Sequence, residues 1–329
     1  MALCKIKIRN RGGLMCKKRS DGTKVKDLQI IEKAMPYFMP ERIDAVNMFT
    51  QPIKCEAIDK FIIEQKEKTG IHYSYTEILI AACVRMLYER PKTNRFINNC
   101  VVYQRNTISI SMNVKKALVD NGEELTLKFY FTGRESLPEI KKIIEDEIAK
   151  NLAKNADVHE TTKSAGVLCK LPNWLFKFAM SCIRFMDKHN FLPKKLIHAS
   201  PFHTSIYVTD LRSIKLDKIY HHLYNFGTTT IFAALGKVQY VPVGDRSGEV
   251  EVQKQMRLGL TLDERVCDGL YYGTSVRLLM KYMENPNLMM EKLPEPELTG
   301  KALKKKLKAD KKLAKKQERE TKKTKNKAK

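Results

Sequence analysis

Asp263-Glu264-Arg265-Val266-Cys267-Asp268-Gly269 gathers three carboxylates, a guanidinium and a thiol into seven residues. A carboxylate serves as a general base where burial raises its proton affinity, and Glu264 is the candidate for that role. The same side chain can instead be structural, paired with Arg265 or another basic group. Cys267 is a candidate nucleophile or substrate contact, although a lone cysteine beside an apolar residue more often packs. Three histidines outside the segment, His203, His221 and His222, can approach Glu264 across a fold or subunit boundary and form a Glu–His pair. Surface or helix-end positions are the plainer reading of all three. No H-x-x-x-H, H-E-x-x-H or C-x-x-C spacing points to a metal.

These residues need elements to hold them. Leu258-Gly259-Leu260-Thr261-Leu262 reads as a strand that delivers the segment, and a helix over about 269–283 carries it away, closed by Asn285-Pro286. Upstream, a helix over 57–68 ends at Gly70. A second helix follows a cap at Ser74 or Thr76, and its run Ile78–Leu87 is apolar nearly all round, so it is buried on most sides. Strands are expected at 45–50, 101–103, 108–114, 125–131, 204–210, 229–235, 250–252 and 256–262. Further helices are expected near 26–34, at 137–153 and at 173–187. Long strands with intervening helices, but without strict alternation, indicate an α+β domain with a mixed sheet. In the 173–187 helix, Lys177 and Arg184 continue the seven-residue spacing of Lys170 opposite an aromatic face. Such a helix lies on a membrane, walls an acyl channel, or packs on its own domain or a neighbouring subunit.

Except at its second position, the seven-residue segment resembles Asp-His-Arg-x-x-Asp-Gly, the signature of coenzyme A-dependent acyltransferases. The family is that of 2-oxo acid dehydrogenase acyltransferase (E2) catalytic domains and chloramphenicol acetyltransferase. Three other pieces are similar and in order: Arg90-Pro91-Lys92-Thr93-Asn94-Arg95-Phe96, Ile206-Tyr207-Val208-Thr209-Asp210-Leu211, and the glycine-flanked Asn225–Gly236. The resemblance covers about residues 40–290 and implies a two-layer chloramphenicol acetyltransferase-like fold. It also implies a homotrimer with active sites between subunits and coenzyme A or acyl-CoA as substrate. By position, Glu264 takes the place of the catalytic histidine, Thr209 that of the hydroxyl donating to the oxyanion, and Asp268 that of the aspartate ordering the loop. Arg42 takes the place of an N-terminal arginine paired with Asp268. Arg265 and Gly269 complete the structural part of the site, and His203, His222 and Cys267 are the candidate substrate contacts. With Glu264 in the histidine's place, two readings stay open: an acyltransferase with a glutamate base, or an inactive pseudo-acyltransferase that binds or scaffolds. Too few residues precede the match for a lipoyl or subunit-binding domain, so a stand-alone member without a lipoyl attachment site is expected.

Composition narrows the partners. The net charge of +24 sits mostly at the ends: nine Lys/Arg against two Asp/Glu in residues 1–30, and fifteen against three in 301–329. A nucleic-acid binder built from the whole body is thereby disfavoured, and no specific DNA binding is expected. The expected layout is a basic extension over 1–30, the domain over 31–292, and a disordered Lys-rich tail over 293–329. That tail lacks interleaved aromatics and can contact a polyanion, RNA or anionic lipid, without reading sequence. Eight cysteines in no disulfide or zinc framework point to reduced thiols and a cytoplasmic protein. The N-terminus has charges where a signal peptide is apolar, and no run is long enough for a transmembrane helix.

Overall fold

Ser74 and Glu77 cap each other across the first turn of the most apolar helix: the Glu77 amide donates to Ser74 Oγ at 3.2 Å and the Ser74 amide to Glu77 Oε2 at 2.7 Å. The computed structural model describes residues 19–115, 124–153 and 171–295 of the chain. It divides into two units, Met1–Lys292 and Leu293–Lys329, and every described helix and strand belongs to the first.

The elements in chain order are β1 (Gly22–Lys24), α1 (Ile30–Phe38), β2 (Val46–Lys54), α2 (Glu56–Thr69), α3 (Tyr75–Glu89), β3 (Arg95–Asn98) and β4 (Val101–Arg105). Then come β5 (Ile108–Lys115), β6 (Glu124–Phe131), α4 (Leu137–Ala153), α5 (Asn173–Lys188), α6 (Lys194–Ala199), β7 (Ile206–Asp210), β8 (Ile231–Gly244), β9 (Val250–Asp263) and α7 (Gly269–Glu284). Every residue of α3 from Ile78 to Leu87 is buried, as its unbroken apolar run requires.

Six strands form a mixed sheet in the order β2-β9-β8-β7-β5-β6, with β7 parallel to both β5 and β8 and the other pairs antiparallel. The α+β class with a mixed sheet is as expected. Alternation sorts the side chains onto two faces. Ile110, Phe129, Ile206, Val208, Ala233, Leu235, Leu258, Leu260 and Leu262 join the main core with α3, α4 and α7. Tyr207 and Phe232 point the other way and pack with Leu223. Residues 217–219 cross close over that second face. A Cβ on Gly259 would lie 2.6 Å from the Ile219 carbonyl oxygen, and one on Gly236 would lie 2.5 Å from the Lys218 nitrogen. The smaller sheet β1-β4-β3 brings part of the basic N-terminal segment into the fold.

Some elements differ from expectation. β8 and β9 each run 14 residues as one hairpin, where strand pattern had suggested an end at Leu235 and a break at 253–255. An irregularity falls between Leu235 and Val238, just before the last pair to reach the core, Val238 with Met256. Beyond it the ladder persists with Tyr240, Val250 and Val252 exposed and Gln253 and Gln255 buried, so hydrophobic periodicity no longer reports the strand. β3 and the short α6 carry too few residues to show a period. α1 begins at Ile30 because Gln29 and Glu32 form its capping box. The expected Lys-rich tail beyond 295, the first 18 residues and the 154–166 polar stretch lie outside the described residues.

Candidate active site

The signature occupies the junction of β9 and α7, and its own first residue builds it. Asp263 is fully buried and accepts from three Arg265 donors: the amide at 3.1 Å, Nε at 2.9 Å and Nη2 at 2.7 Å. Arg265 is also buried, and its Nη1 donates to the carbonyls of Met39 at 2.9 Å and Pro40 at 3.3 Å. This bidentate pair ties the junction to the chain entering β2. Tyr272, one turn into α7, donates its hydroxyl to the Asp263 carbonyl at 2.8 Å.

Glu264 sits between the two partners, half-buried at the end of β9. Its amide donates to Ala45 O at 2.9 Å, and its Oε2 accepts from Asn47 Nδ2 at 2.5 Å. Arg265 therefore turns to Asp263, and no described histidine bonds Glu264. Asp268 is exposed and caps α7, with Oδ1 accepting from the Tyr271 amide at 2.8 Å. It orders the helix start without the expected arginine. Arg42 is buried elsewhere: Nη2 donates to Gly227 O at 2.7 Å and Nη1 to Thr229 O. Burial lowers its pKa to about 10. The expected Arg42–Asp268 pair is thus replaced by Arg42 on backbone carbonyls and Arg265 on Asp263. The reason is positional: Asp268 faces solvent, whereas the carbonyls of the 227–229 turn would be unsatisfied without Arg42. Gly269 begins α7, and a Cβ there would meet nothing within 4 Å.

Thr209 is half-buried on β7, on the sheet face shared with Tyr207 and away from the helices. Its register partner is Ala234, which pairs in turn with Gly259. Glu264 is five residues further along β9, or about 17 Å at strand rise. Within one chain, Thr209 and Glu264 do not meet.

The candidate substrate contacts disperse too. Cys267 is buried, and burial pushes its thiol up to about 12, so it packs instead of attacking. His203 is buried between Ser200 Oγ, 2.7 Å from Nδ1, and Asp187 Oδ2, 3.1 Å from Nε2. Burial lowers its pKa, partly offset by Asp187. Burial alone would raise the Asp187 carboxyl, but His203 and Arg19 hold it below its ordinary value. Lys128 Nζ closes the same cluster, donating to the carbonyls of Ile197, Ser200 and His203 at 3.1, 3.1 and 2.8 Å; burial lowers its pKa to about 7. His203 is therefore a buried fastener, not a substrate contact. His222 is exposed, edge-on to Tyr224. His221 stacks on Phe232 at 4.2 Å, and its Nε2 is buried without a hydrogen-bond partner among the described residues. Asp263 and Asn47 were not among the residues singled out by sequence. Asp263 was visible as the signature's first letter; Asn47 is recognisable only once β2 is registered against Leu262.

An open cleft of about 390 Å³ lies beside the junction, and its charged lining is mixed: Arg42, Arg265, Arg184 and Lys188 with Glu41 and Asp187. Glu264 does not line it. Among the described residues no cluster of His, Cys, Asp or Glu could hold a metal, and no helix is long and apolar enough to cross a membrane.

Residues 224–291 match the family described as 2-oxoacid dehydrogenases acyltransferase (catalytic domain). No curated protein matches this chain by sequence. Its structure is similar to a probable dihydrolipoamide acetyltransferase from Listeria monocytogenes, with a TM-score of 0.50 and 14% identity over 84% of this chain and 98% of that one. It is equally similar to the dihydrolipoamide acetyltransferase of Azotobacter vinelandii, with a TM-score of 0.50 and 14% identity over 81% and 94%. A serine, a histidine and an asparagine have been investigated for roles in that enzyme's catalytic mechanism. Similarity to a chloramphenicol acetyltransferase is weaker, at a TM-score of 0.45 and 11% identity over 80% and 99%. The chain thus has the fold of an acyltransferase catalytic domain. The resemblance read from its signature, to the 2-oxo acid dehydrogenase acyltransferase family, is borne out.

Proposed function

We propose that this protein is a coenzyme A-dependent acyltransferase whose general base is Glu264, in a site shared between copies. In the reaction, Glu264 takes the proton of an acceptor thiol as the sulfur attacks the thioester carbonyl. The tetrahedral intermediate then collapses, the C–S bond to coenzyme A breaks, and the departing thiolate recovers the proton. Thr209 of a second copy donates its hydroxyl to the oxyanion, a role worth about 10²–10³ in rate. A homotrimer supplies that second copy.

The observation that carries this reading is the setting of Glu264. Its carboxylate is half-exposed at a strand end, steadied by Asn47 and flanked by the buried Asp263–Arg265 pair. One further observation supports a shared site: in its own chain Thr209 lies two strands away from β9 and about 17 Å back along the strand direction from Glu264.

A second reading rests on the same bond taken as purely structural, Asn47 and Glu264 tying β2 to the end of β9. In that reading the protein is a pseudo-acyltransferase that keeps affinity for the ligand without turnover.

One experiment separates the two. Purified protein is given acetyl-CoA and a small dithiol, and free coenzyme A is followed by chromatography. Release that disappears in Glu264→Gln, with acyl-CoA affinity retained by calorimetry, supports the base. Unchanged turnover in Glu264→Gln refutes it, and affinity without turnover in either protein supports the pseudo-acyltransferase.

A further inference from the structure

α5 turns its aromatic side chains outward. Trp174 is 71% exposed, Phe178 63% and Phe185 55%. With Ser181 they recur at intervals of four, three and four residues, a stripe about 60° wide at 100° per residue. Lys177, Arg184 and Lys188 are also exposed and run along one flank of that stripe. Across residues 171–200 there are five lysines and arginines and one acidic residue, Asp187. Asp187 is turned inward, onto Arg19 at 2.9 Å and His203. The outer surface of this segment is therefore apolar and cationic, with no exposed carboxylate. α6 adds exposed Lys194, Lys195 and Leu196.

The helix is firmly held at one end. Besides the Asp187 bonds, Arg19 Nη1 donates to the Asp187 carbonyl at 3.1 Å, and Asn98 Nδ2 donates to the carbonyls of Asp187 at 3.0 Å and Lys188 at 3.3 Å. Its aromatic stripe is thus presented by a fixed helix.

We infer that α5 docks this protein onto an anionic lipid surface. The occupant is argued from charge and side-chain type. A surface-lying helix buries an apolar face at the level of the acyl boundary and sets its basic residues among anionic headgroups, and tryptophan belongs at that depth. A two-fold contact of this face with itself is disfavoured, because it would set Lys177, Arg184 and Lys188 of each copy against one another; a three-fold contact with a different face of a neighbouring copy is an outcome of the test below that overturns the inference. The docking requires no turnover and stands apart from the acyltransferase reading.

Trp174 is the chain's single tryptophan and reports directly on the proposal. The full-length protein is titrated with vesicles of phosphatidylcholine alone or mixed with phosphatidylglycerol, and tryptophan emission and co-sedimentation are measured. Expected is a blue shift with the anionic vesicles only, lost between about 0.1 M and about 1 M salt. Phe178→Ser/Phe185→Ser keeps every charge of the chain, the Lys-rich tail included, yet partitioning should fall at least about tenfold. Lys177→Glu/Arg184→Glu tests the cationic flank independently, with a loss of about fivefold or more for each charge. An unshifted emission with anionic vesicles overturns the inference, even if tail-driven sedimentation occurs. Undiminished binding by the serine variant overturns it too. So does emission that is already blue in the free protein and moves red as Phe178→Ser/Phe185→Ser lowers the mass seen by light scattering, which identifies the face as a contact between copies.

Discussion

Replacing Asp263 should reveal how much the candidate site depends on one buried pair. Its carboxylate, with Arg265 at 2.7 Å, is shielded from water along with the guanidinium it holds. Asp263→Ala removes three acceptor contacts at once and leaves Arg265 with only the Met39 and Pro40 carbonyls among its described partners. A buried charge deprived of its counter-ion costs about 3–5 kcal/mol. Asp263→Asn keeps an oxygen acceptor but loses the charge, so a smaller cost of about 1.5–3 kcal/mol is expected. Arg265→Leu removes the charge from the other side, and combining it with Asp263→Asn leaves neither ion stranded. The double variant should therefore cost less than the sum of the singles, by about 1 kcal/mol or more. Urea unfolding followed by circular dichroism, with unchanged m, measures all four proteins. A loss below about 1 kcal/mol for Asp263→Ala, or strictly additive singles, would refute the reasoning. Because Glu264 lies between the two partners, any turnover should also fall in Asp263→Asn under conditions where that protein is fully folded.

Two further outcomes are expected. Gly227 has φ +89°, and a Cβ there would lie 2.3 Å from the Phe202 carbonyl oxygen that Thr228 and Thr229 use. Gly227→Ala should therefore cost at least about 2 kcal/mol, against about 0.5 kcal/mol or less for Gly269→Ala; equal urea midpoints would contradict this. The second concerns acid. Burial holds His203 below its ordinary 6.5 despite Asp187, so below pH 6.5 the unfolded chain binds the proton that the folded one resists. Stability is then lost as pH falls from about 6.5 toward the folded value. Asp187, held below 3.8, contributes stability above that pH which is lost only in stronger acid. His203→Asn should lower the urea midpoint at pH 7.5 and flatten its fall toward pH 5; an unchanged slope would show that His203 does not carry it.

Much of the scaffold was legible because periodicity survives wherever one face meets the core. The 137–153 helix, the 108–114 and 125–131 strands and the helix after Gly269 all obey that condition, whereas the choice of Ser74 over Thr76 as a cap came from the structure. The outer halves of β8 and β9 do not, since their buried positions are taken by Gln253 and Gln255 while Tyr240, Val250 and Val252 are exposed.

The site divides along the same line. Its segment was fixed by sequence alone, because seven contiguous residues at a strand–helix junction need no distant information to be recognised. Their partners were decided by tertiary structure. Whether Arg42 reaches Asp268 or the carbonyls of the 227–229 turn, and whether Glu264 meets a histidine or Asn47, depends on sheet register and on which groups burial leaves unpaired. Cys267 and His203 carry chemically capable side chains, and it was burial, a property of the assembled fold, that turned both into packing residues. Thr209 shows the same limit: its position in β7 came from pattern, but its separation from Glu264 is set by the register of β7 on β8 and β8 on β9.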